Sequence, residues 1–535
     1  MTLTRRNFLK SAGFGMAAFS GSSLNKSSIA AAKDERKVKK PNLVFVMSDE
    51  HRKQAMGFMN EDPVYTPNFD KFAEKSMVFT NALCSFPICS PSRGTMWTGM
   101  YNISNGVMQN KHVWFDNVPT IFESLKNAGY NTAYVGKWHL DSHHKEHDSE
   151  ISHGEYNKRR VASDHNNIVY YLREYCPRSR RPYIDFWHAN ECYNYLFNLC
   201  YYEDDPNEPV LGKRWQPEHE TDVAIDYIKK QTKKNEPFAL FLSYNPPHFG
   251  REQYPTGKDI PVEKSSWGFF APEEYEKLYA DMETTKRPNF ERKHRNGKAD
   301  NKDIIKGYFG AVTSIDHNFG RLMNYLEEMK LAEDTIVVYT SDHGDMVGSH
   351  GRWKKRTWYE ESIGIPMMVS WPHKVKARKN NMLFNNVNLM PTLLGLMDIP
   401  VPDRVQGKDF SSVLKGGRVE RPESTLVIYD YLLQRDKPSD NEYKLAEKHN
   451  IFSASGVWRC LRTERYSYVV QMIGNKYKLH LYDLEKDPYQ MNPLEQKDNE
   501  ALFSKLDNLL LDWLKKTEDP FFKWYSEKTI PLKWS

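Results

Sequence analysis

Four short apolar runs, each giving way abruptly to polar residues, constrain this chain more than any other feature. Asn42-Leu43-Val44-Phe45-Val46-Met47 leads into Ser48-Asp49-Glu50-His51, and Thr132-Ala133-Tyr134-Val135 into Gly136-Lys137-Trp138-His139. Phe238 to Leu242 leads into Tyr244-Asn245-Pro246-Pro247-His248, and Thr335-Ile336-Val337-Val338-Tyr339 into Ser341-Asp342-His343-Gly344. A run with no polar alternation needs cover on both faces, which a parallel sheet flanked by helices supplies. Ile315, Phe319, Leu322, Leu326 and Met329 recur at helical spacing just before the Thr335 run. Strand alternating with helix predicts an α/β fold, a large, mostly parallel sheet covered by helices on both faces. Ligands of such sheets bind beyond the carboxyl ends of the strands, so the four polar clusters are expected to share one site.

A second run carries the chemistry. Cys89-Ser90-Pro91-Ser92-Arg93-Gly94-Thr95-Met96-Trp97-Thr98-Gly99 places a nucleophile before a proline that suits a first helical turn. A helix starting near Pro91 would aim its N-terminal amides at whatever Cys89 binds, and Arg93 adds a permanent planar cation. A buried cysteine acting as a small hydrophobe is the alternative, but it leaves Pro, Arg and Gly behind it unexplained. Asp49 and Glu50 are adjacent carboxylates at a strand end and Asp342 is a third, a donor set that suits a hard dication.

The Cys89–Gly99 run resembles the signature of the type I sulfatases, within the alkaline-phosphatase-like superfamily, and matches it at every element. Asp483-Leu484-Glu485-Lys486-Asp487-Pro488 resembles their late segment. The resemblance implies that Cys89 is oxidised to formylglycine (3-oxoalanine) by a maturation enzyme and that its hydrated aldehyde attacks sulfur. It implies a metal held by Asp49, Glu50, residue 89, Asp342 and His343. Calcium is expected, with magnesium or manganese open. Glu50 stands where the family more often has Asp, and His343 where many members have Asn. By the same resemblance Arg93 and Lys137 hold sulfuryl and nucleophile oxygens, and His139 is the base that helps release sulfate. His248 binds sulfate or protonates the leaving group. Lys355 is the second catalytic lysine, with the adjacent Lys354 as the alternative. Lys137 and His139 alternate along an extended chain, so both are expected on one side.

The rest of the chain frames this centre. Adjacent arginines in Thr4-Arg5-Arg6-Asn7-Phe8-Leu9-Lys10, a mildly apolar stretch and Ala30-Ala31-Ala32 resemble a twin-arginine leader over residues 1–32. An exported, periplasmic or secreted bacterial enzyme is therefore expected. A catalytic domain is read over 41–424, with loop-rich insertions at 141–235 and 251–303, and a small α+β domain over 425–535. In the last, Leu502, Leu506, Leu509, Leu510 and Trp513 lie in helical phase. No apolar run is long enough to span a bilayer. A net charge of +5 over 535 residues does not suggest a nucleic-acid binder. Six cysteines, one committed to chemistry, make no disulfide framework, although Cys192 and Cys200 could pair. The expected substrate is a sulfated carbohydrate such as an ulvan- or carrageenan-type glycan. A small-molecule arylsulfatase and a phosphonate or phosphate diester hydrolase of the same superfamily are the alternatives.

Overall fold

The structure is a computed structural model. It describes residues 40–110, 112–141, 160–162, 169–171, 175–192, 194–197, 199–206, 208–212, 214–234, 236–253, 267–282, 287–291, 302–430, 456–474 and 476–529. The twin-arginine stretch and much of both expected insertions lie outside these residues.

The strands that matter here are β1 (Asn42–Ser48), β2 (Met77–Leu83), β3 (Asn131–Lys137), β4 (Phe186–Asn190), β5 (Tyr195–Phe197), β6 (Phe238–Tyr244), β7 (Gly250–Gln253) and β8 (Trp267–Gly268). After them come β9 (Thr335–Ser341), β10 (Met367–Ser370), β11 (Arg378–Asn385), β12 (Thr425–Tyr429), β13 (Trp458–Arg462), β14 (Tyr466–Ile473) and β15 (Lys476–Asp483). The helices are α1 (Pro67–Glu74), α2 (Cys89–Thr98), α3 (Gln216–Thr232), α4 (Lys302–Glu328), α5 (Leu389–Leu396), α6 (Glu500–Lys516) and α7 (Phe521–Thr529).

Eight strands form the main sheet in the order β11-β2-β10-β9-β1-β6-β3-β4. All its pairings are parallel except those of β10, which runs against both β9 and β2. The apolar runs are buried on both faces for a simple reason. Successive side chains point to opposite sides, so Leu43, Phe45 and Met47 enter one core while Val44 and Val46 enter the other. Against Val44 and Val46 pack α1, α3 and α4, the last through Ile315, Phe319, Leu322 and Leu326. Met329 does not join that face. It lies just past the end of α4 and is 44% exposed.

Residues 141–235, expected to be loop-rich, supply β4 as an edge strand and α3 as a 17-residue cover. The helix is hard to read in sequence because its buried face carries Gln216, Glu220, Thr221 and Gln231 beside Ala224, Tyr227 and Ile228. Polar residues break the apolar stripe by which a helix is recognised.

The C-terminal part is an antiparallel meander, β12-β13-β14-β15, backed by α6 and α7. Leu426, Trp458, Leu506 and Leu510 belong to the same core as Leu43 and Phe45, so this small unit closes one face of the sheet. It also steadies the loop that carries Lys355. Arg462 on β13 donates to Glu360 at 2.9 Å, and Lys53 meets the other oxygen of Glu360 at 2.6 Å.

Candidate active site

Four parallel strands, β9, β1, β6 and β3, end side by side. Ser48 is in register with Ser341 and with Tyr244, and Ser243 with Gly136. The residues one or two places further on therefore meet: Asp49 and Glu50, Asp342 and His343, Asn245, and Lys137. Gly136 is required for this convergence. Its φ is +99°, and an added Cβ would lie 2.2 Å from the carbonyl oxygen of Ser243.

Opposite these ends, α2 begins at Cys89 itself, two residues before the proline from which the sequence suggested a start. Ile88 ahead of it is extended and gives no side-chain cap, and Gly99 (φ +62°) closes the helix. Cys89 thus stands in the first turn, where amides are unpaired within the helix and the dipole favours negative charge. Its sulfur lies 3.0 Å from Lys355 Nζ, 3.4 Å from His343 Nε2 and 3.5 Å from Asp49 Oδ1. Burial opposes ionisation of the thiol, but Lys355, Lys137 and His343 overcome it and hold its pKa well below the ordinary value.

Arg93, one turn along the same helix, is fully buried and reaches all four strand ends. Nε donates to Asp342 Oδ2 at 3.0 Å, and one terminal nitrogen donates to Asp49 Oδ2 at 3.2 Å. The other donates to the Lys137 carbonyl at 2.6 Å and to Ser243 Oγ at 2.8 Å. Lys137 Nζ lies 2.7 Å from Asp49 Oδ2 and donates to Asn245 Oδ1 at 2.9 Å. Lys137 keeps its proton. Burial works against it, but Asp49 and Cys89 outweigh burial and raise its pKa above the usual lysine value.

His139 does not continue the extended alternation from Lys137. Its φ is +58°, and this kink turns the chain at the strand end. Burial lowers its pKa to about 4, against the opposing influence of Cys89, so the ring is neutral at pH 7. Among the described residues its Nδ1 has no hydrogen-bond partner.

The carboxylates fall into two groups. Asp49, Cys89, Asp342 and His343 each bring a ligand atom, all within 4.8 Å of one another. Glu50 stands apart from that set and groups with Asp49 and His248. Its Oε1 meets Lys355 Nζ at 2.6 Å and His248 Nε2 at 3.6 Å, and its Oε2 accepts from the Phe249 amide at 2.9 Å. Burial and the Asp49 charge lift the Asp342 pKa to about 7. For His343 burial works downward, but Asp342 outweighs it and raises the pKa to about 9. Asp342 and His343 are thus drawn toward their protonated forms, while against burial Lys137, His248 and Lys355 hold Asp49 below the ordinary carboxylate range. The four crowded ligand atoms make a donor set that fits a cation.

Exposure orders the pocket. The Asp49, Glu50, Arg93, Lys137, Asp342 and His343 side chains are closed off, Lys355 is 7% exposed and His248 13%. The open side is therefore the one lined by His248 and Lys355, which lie 3.3 Å apart. Lys355 and not Lys354 points inward, and Lys354 is exposed.

Two contributors escaped the sequence. Asn245, the partner of Lys137, sits in the quoted strand-end run, but nothing in its residue type marked it. Tyr308 on α4 accepts from the Arg52 amide at 3.0 Å and donates to the Glu50 carbonyl at 2.8 Å, holding Glu50 at φ +65°. Extending the α4 periodicity back from Ile315 through Val312 would have reached it.

The family model described as Sulfatase matches residues 41–399. A model described as N-sulphoglucosamine sulphohydrolase, C-terminal, matches 348–516. The chain is 30% identical over 492 residues to an ulvan-active sulfatase of Formosa agariphila, covering 90% of this chain and 82% of that protein. It is 30% identical over 529 residues to an endo-4-O-sulfatase of Bacteroides thetaiotaomicron, covering 92% and 94%. Among solved structures, a Bacteroides fragilis sulfatase superposes with a TM-score of 0.73 at 30% identity, over 94% of this chain and 99% of that one.

Proposed function

This chain belongs to the sulfatase family, and from that premise we propose that it removes sulfate esters from a sulfated polysaccharide or its oligosaccharides through an oxidised Cys89. It is a sulfuric ester hydrolase. Supporting a glycan substrate, two relatives at 30% identity are an ulvan-active sulfatase and an endo-4-O-sulfatase. The observation that carries the mechanism is the position of Cys89, in the first turn of a helix with Lys355, His343 and Asp49 all within 3.5 Å of its sulfur.

Maturation of Cys89 to formylglycine, whose aldehyde adds water to become a geminal diol, would supply a hydroxyl as nucleophile toward sulfur. Asp49, Asp342, His343 and residue 89 would hold the metal, with Glu50 at its edge, and three carboxylates argue for calcium over softer ions. A bound dication supplies electrostatic stabilisation of the charge on the sulfuryl oxygens.

The protein's own groups divide the remaining work. Lys137 and Arg93, anchored on Asp49 and Asp342, present fixed positive charge that does not reorganise during reaction. His139, neutral at pH 7, is suited to take a proton from residue 89 as sulfate departs. His248 and Lys355 line the open side, where the alcohol leaves, and either would give it a proton.

We read residues 41–424 as the catalytic domain, 425–535 as the C-terminal domain, and 1–32 as an export leader removed after Ala32. The test of function is release of sulfate from defined sulfated oligosaccharides, run beside matched phosphate and phosphonate esters. Turnover confined to the phosphorus esters would reject the sulfatase reading.

A further inference from the structure

We infer that Trp267, Phe249 and Lys354 form a second recognition element on the pocket rim, a stacking platform for an acidic sugar residue that flanks the sulfated one. The inference rests on the glycan reading above and adds what the protein reads beyond the sulfate.

Trp267 is 48% exposed. Lone exposed apolar side chains are ordinary on protein surfaces, but this indole is held in place. Its strand β8 pairs with β7, with Arg251 opposite Trp267 and Gly250 opposite Gly268. Its ring lies parallel to that of Phe249, at 7° and 6.1 Å between centroids, and Phe249 is braced edge-on by Phe269 at 5.3 Å. The exposed Lys354 places its ammonium 4.5 Å from the Phe249 centroid.

Both anchors connect to the pocket through single peptide steps. Phe249 follows His248, and its amide donates to Glu50 Oε2 at 2.9 Å. Lys354 precedes Lys355, whose Nζ is 3.0 Å from Cys89 Sγ. The platform is therefore tied to the two residues, His248 and Lys355, that line the open side of the pocket. Chemistry identifies the ligand. A pyranose ring presents weakly positive C–H groups, which match the negative face of an indole. The ammonium beside the rings suits a carboxylate or second sulfate on that same sugar. A preformed aromatic surface also binds without losing much conformational freedom.

The test compares a tetrasaccharide alternating a uronic acid with a sulfated hexosamine, a neutral sulfated galactan tetrasaccharide and 4-nitrophenyl sulfate. Trp267→Ala is expected to lower kcat/KM on the acidic tetrasaccharide about tenfold more than on 4-nitrophenyl sulfate. Trp267→Phe should recover most of that difference, and Lys354→Gln should penalise the acidic tetrasaccharide more than the neutral one. Equal losses across all three substrates would overturn the platform. Binding supplies a readout free of turnover. In the Cys89→Ala background, Trp267→Ala should weaken calorimetric binding of the acidic tetrasaccharide about tenfold, and an unchanged Kd would overturn the proposal. If neither tetrasaccharide binds or is desulfated while 4-nitrophenyl sulfate turns over, the glycan reading itself fails. If both are desulfated as well by Trp267→Ala as by the native enzyme, only the platform fails.

Discussion

The ammonium of Lys355 stands 3.0 Å from the sulfur of Cys89, with both side chains almost or wholly closed to water. Residue 89 thus sits in a strongly electropositive corner, suited to an anionic oxygen in place of the thiolate. The tryptic peptide spanning 76–93 is expected to show sulfur replaced by oxygen and two hydrogens lost when the protein is made with a formylglycine-generating enzyme. Cys89→Ala should lower kcat by at least about 10⁴-fold with an unchanged circular dichroism spectrum. Near-native activity in that variant would end the nucleophile assignment.

Lys137 shares its ammonium between Asp49 and Asn245 in a fully buried setting. Lys137→Ala should cost about 3–5 kcal/mol of stability, because Asp49 loses a buried partner. It should also lower kcat by about 10²–10³-fold. Arg93 remains on Asp49 in that variant, so folding should survive at low temperature. Denaturant titration and steady-state kinetics measure the two effects. A stability loss with kcat intact would assign Lys137 to structure alone.

The legible parts of this molecule were those where one residue type answers one physical demand. The apolar runs announced β1, β3, β6 and β9 because strands buried on both faces cannot carry polar alternation. The acidic and basic residues at their ends followed from the geometry of such sheets. What stayed hidden was set by tertiary context. The polar buried face of α3 concealed a core helix, and the place of Glu50 beside Lys355 and His248 depends on a backbone turn pinned by Tyr308 from far along the chain. Lys137 and His139 were expected to share a side through simple alternation, yet the kink at His139 interrupts it.

The four-residue group of Asp49, Cys89, Asp342 and His343 predicts a metal requirement. Exhaustive dialysis against a chelator should reduce activity by at least about tenfold and lower the melting temperature. Calcium should restore both. Elemental analysis that finds no dication, with activity indifferent to chelation, would contradict this.

Glu220, on α3 behind Gly136, is fully buried and accepts from the Tyr201 hydroxyl at 3.0 Å and the Gln216 amide at 2.9 Å. Burial raises its pKa to about 8, only partly offset by those bonds and by Arg93. It is therefore neutral in the native protein and ionised in the unfolded chain at pH 7. Its contribution to stability is complete below the ordinary carboxylate pKa and is lost as pH rises through 8. Glu220→Gln abolishes this titration, so the native protein should lose stability relative to the variant from pH 5 to 8, by up to about 1.4 kcal/mol per pH unit. Denaturation curves that stay parallel across this range would show that Glu220 does not titrate this way.

Arg93 gives the pocket a property beyond charge. Its guanidinium meets groups on β3 and β6 and just past the ends of β1 and β9 at once. Strand register is degenerate for apolar residues, since a slip of two restores the same facing. It is not degenerate for one rigid fork with four fixed acceptors. A chain paired with any of these strands slipped would leave a buried cation without its acceptors, so a correctly bonded Arg93 reports that the sheet has assembled in its one working alignment.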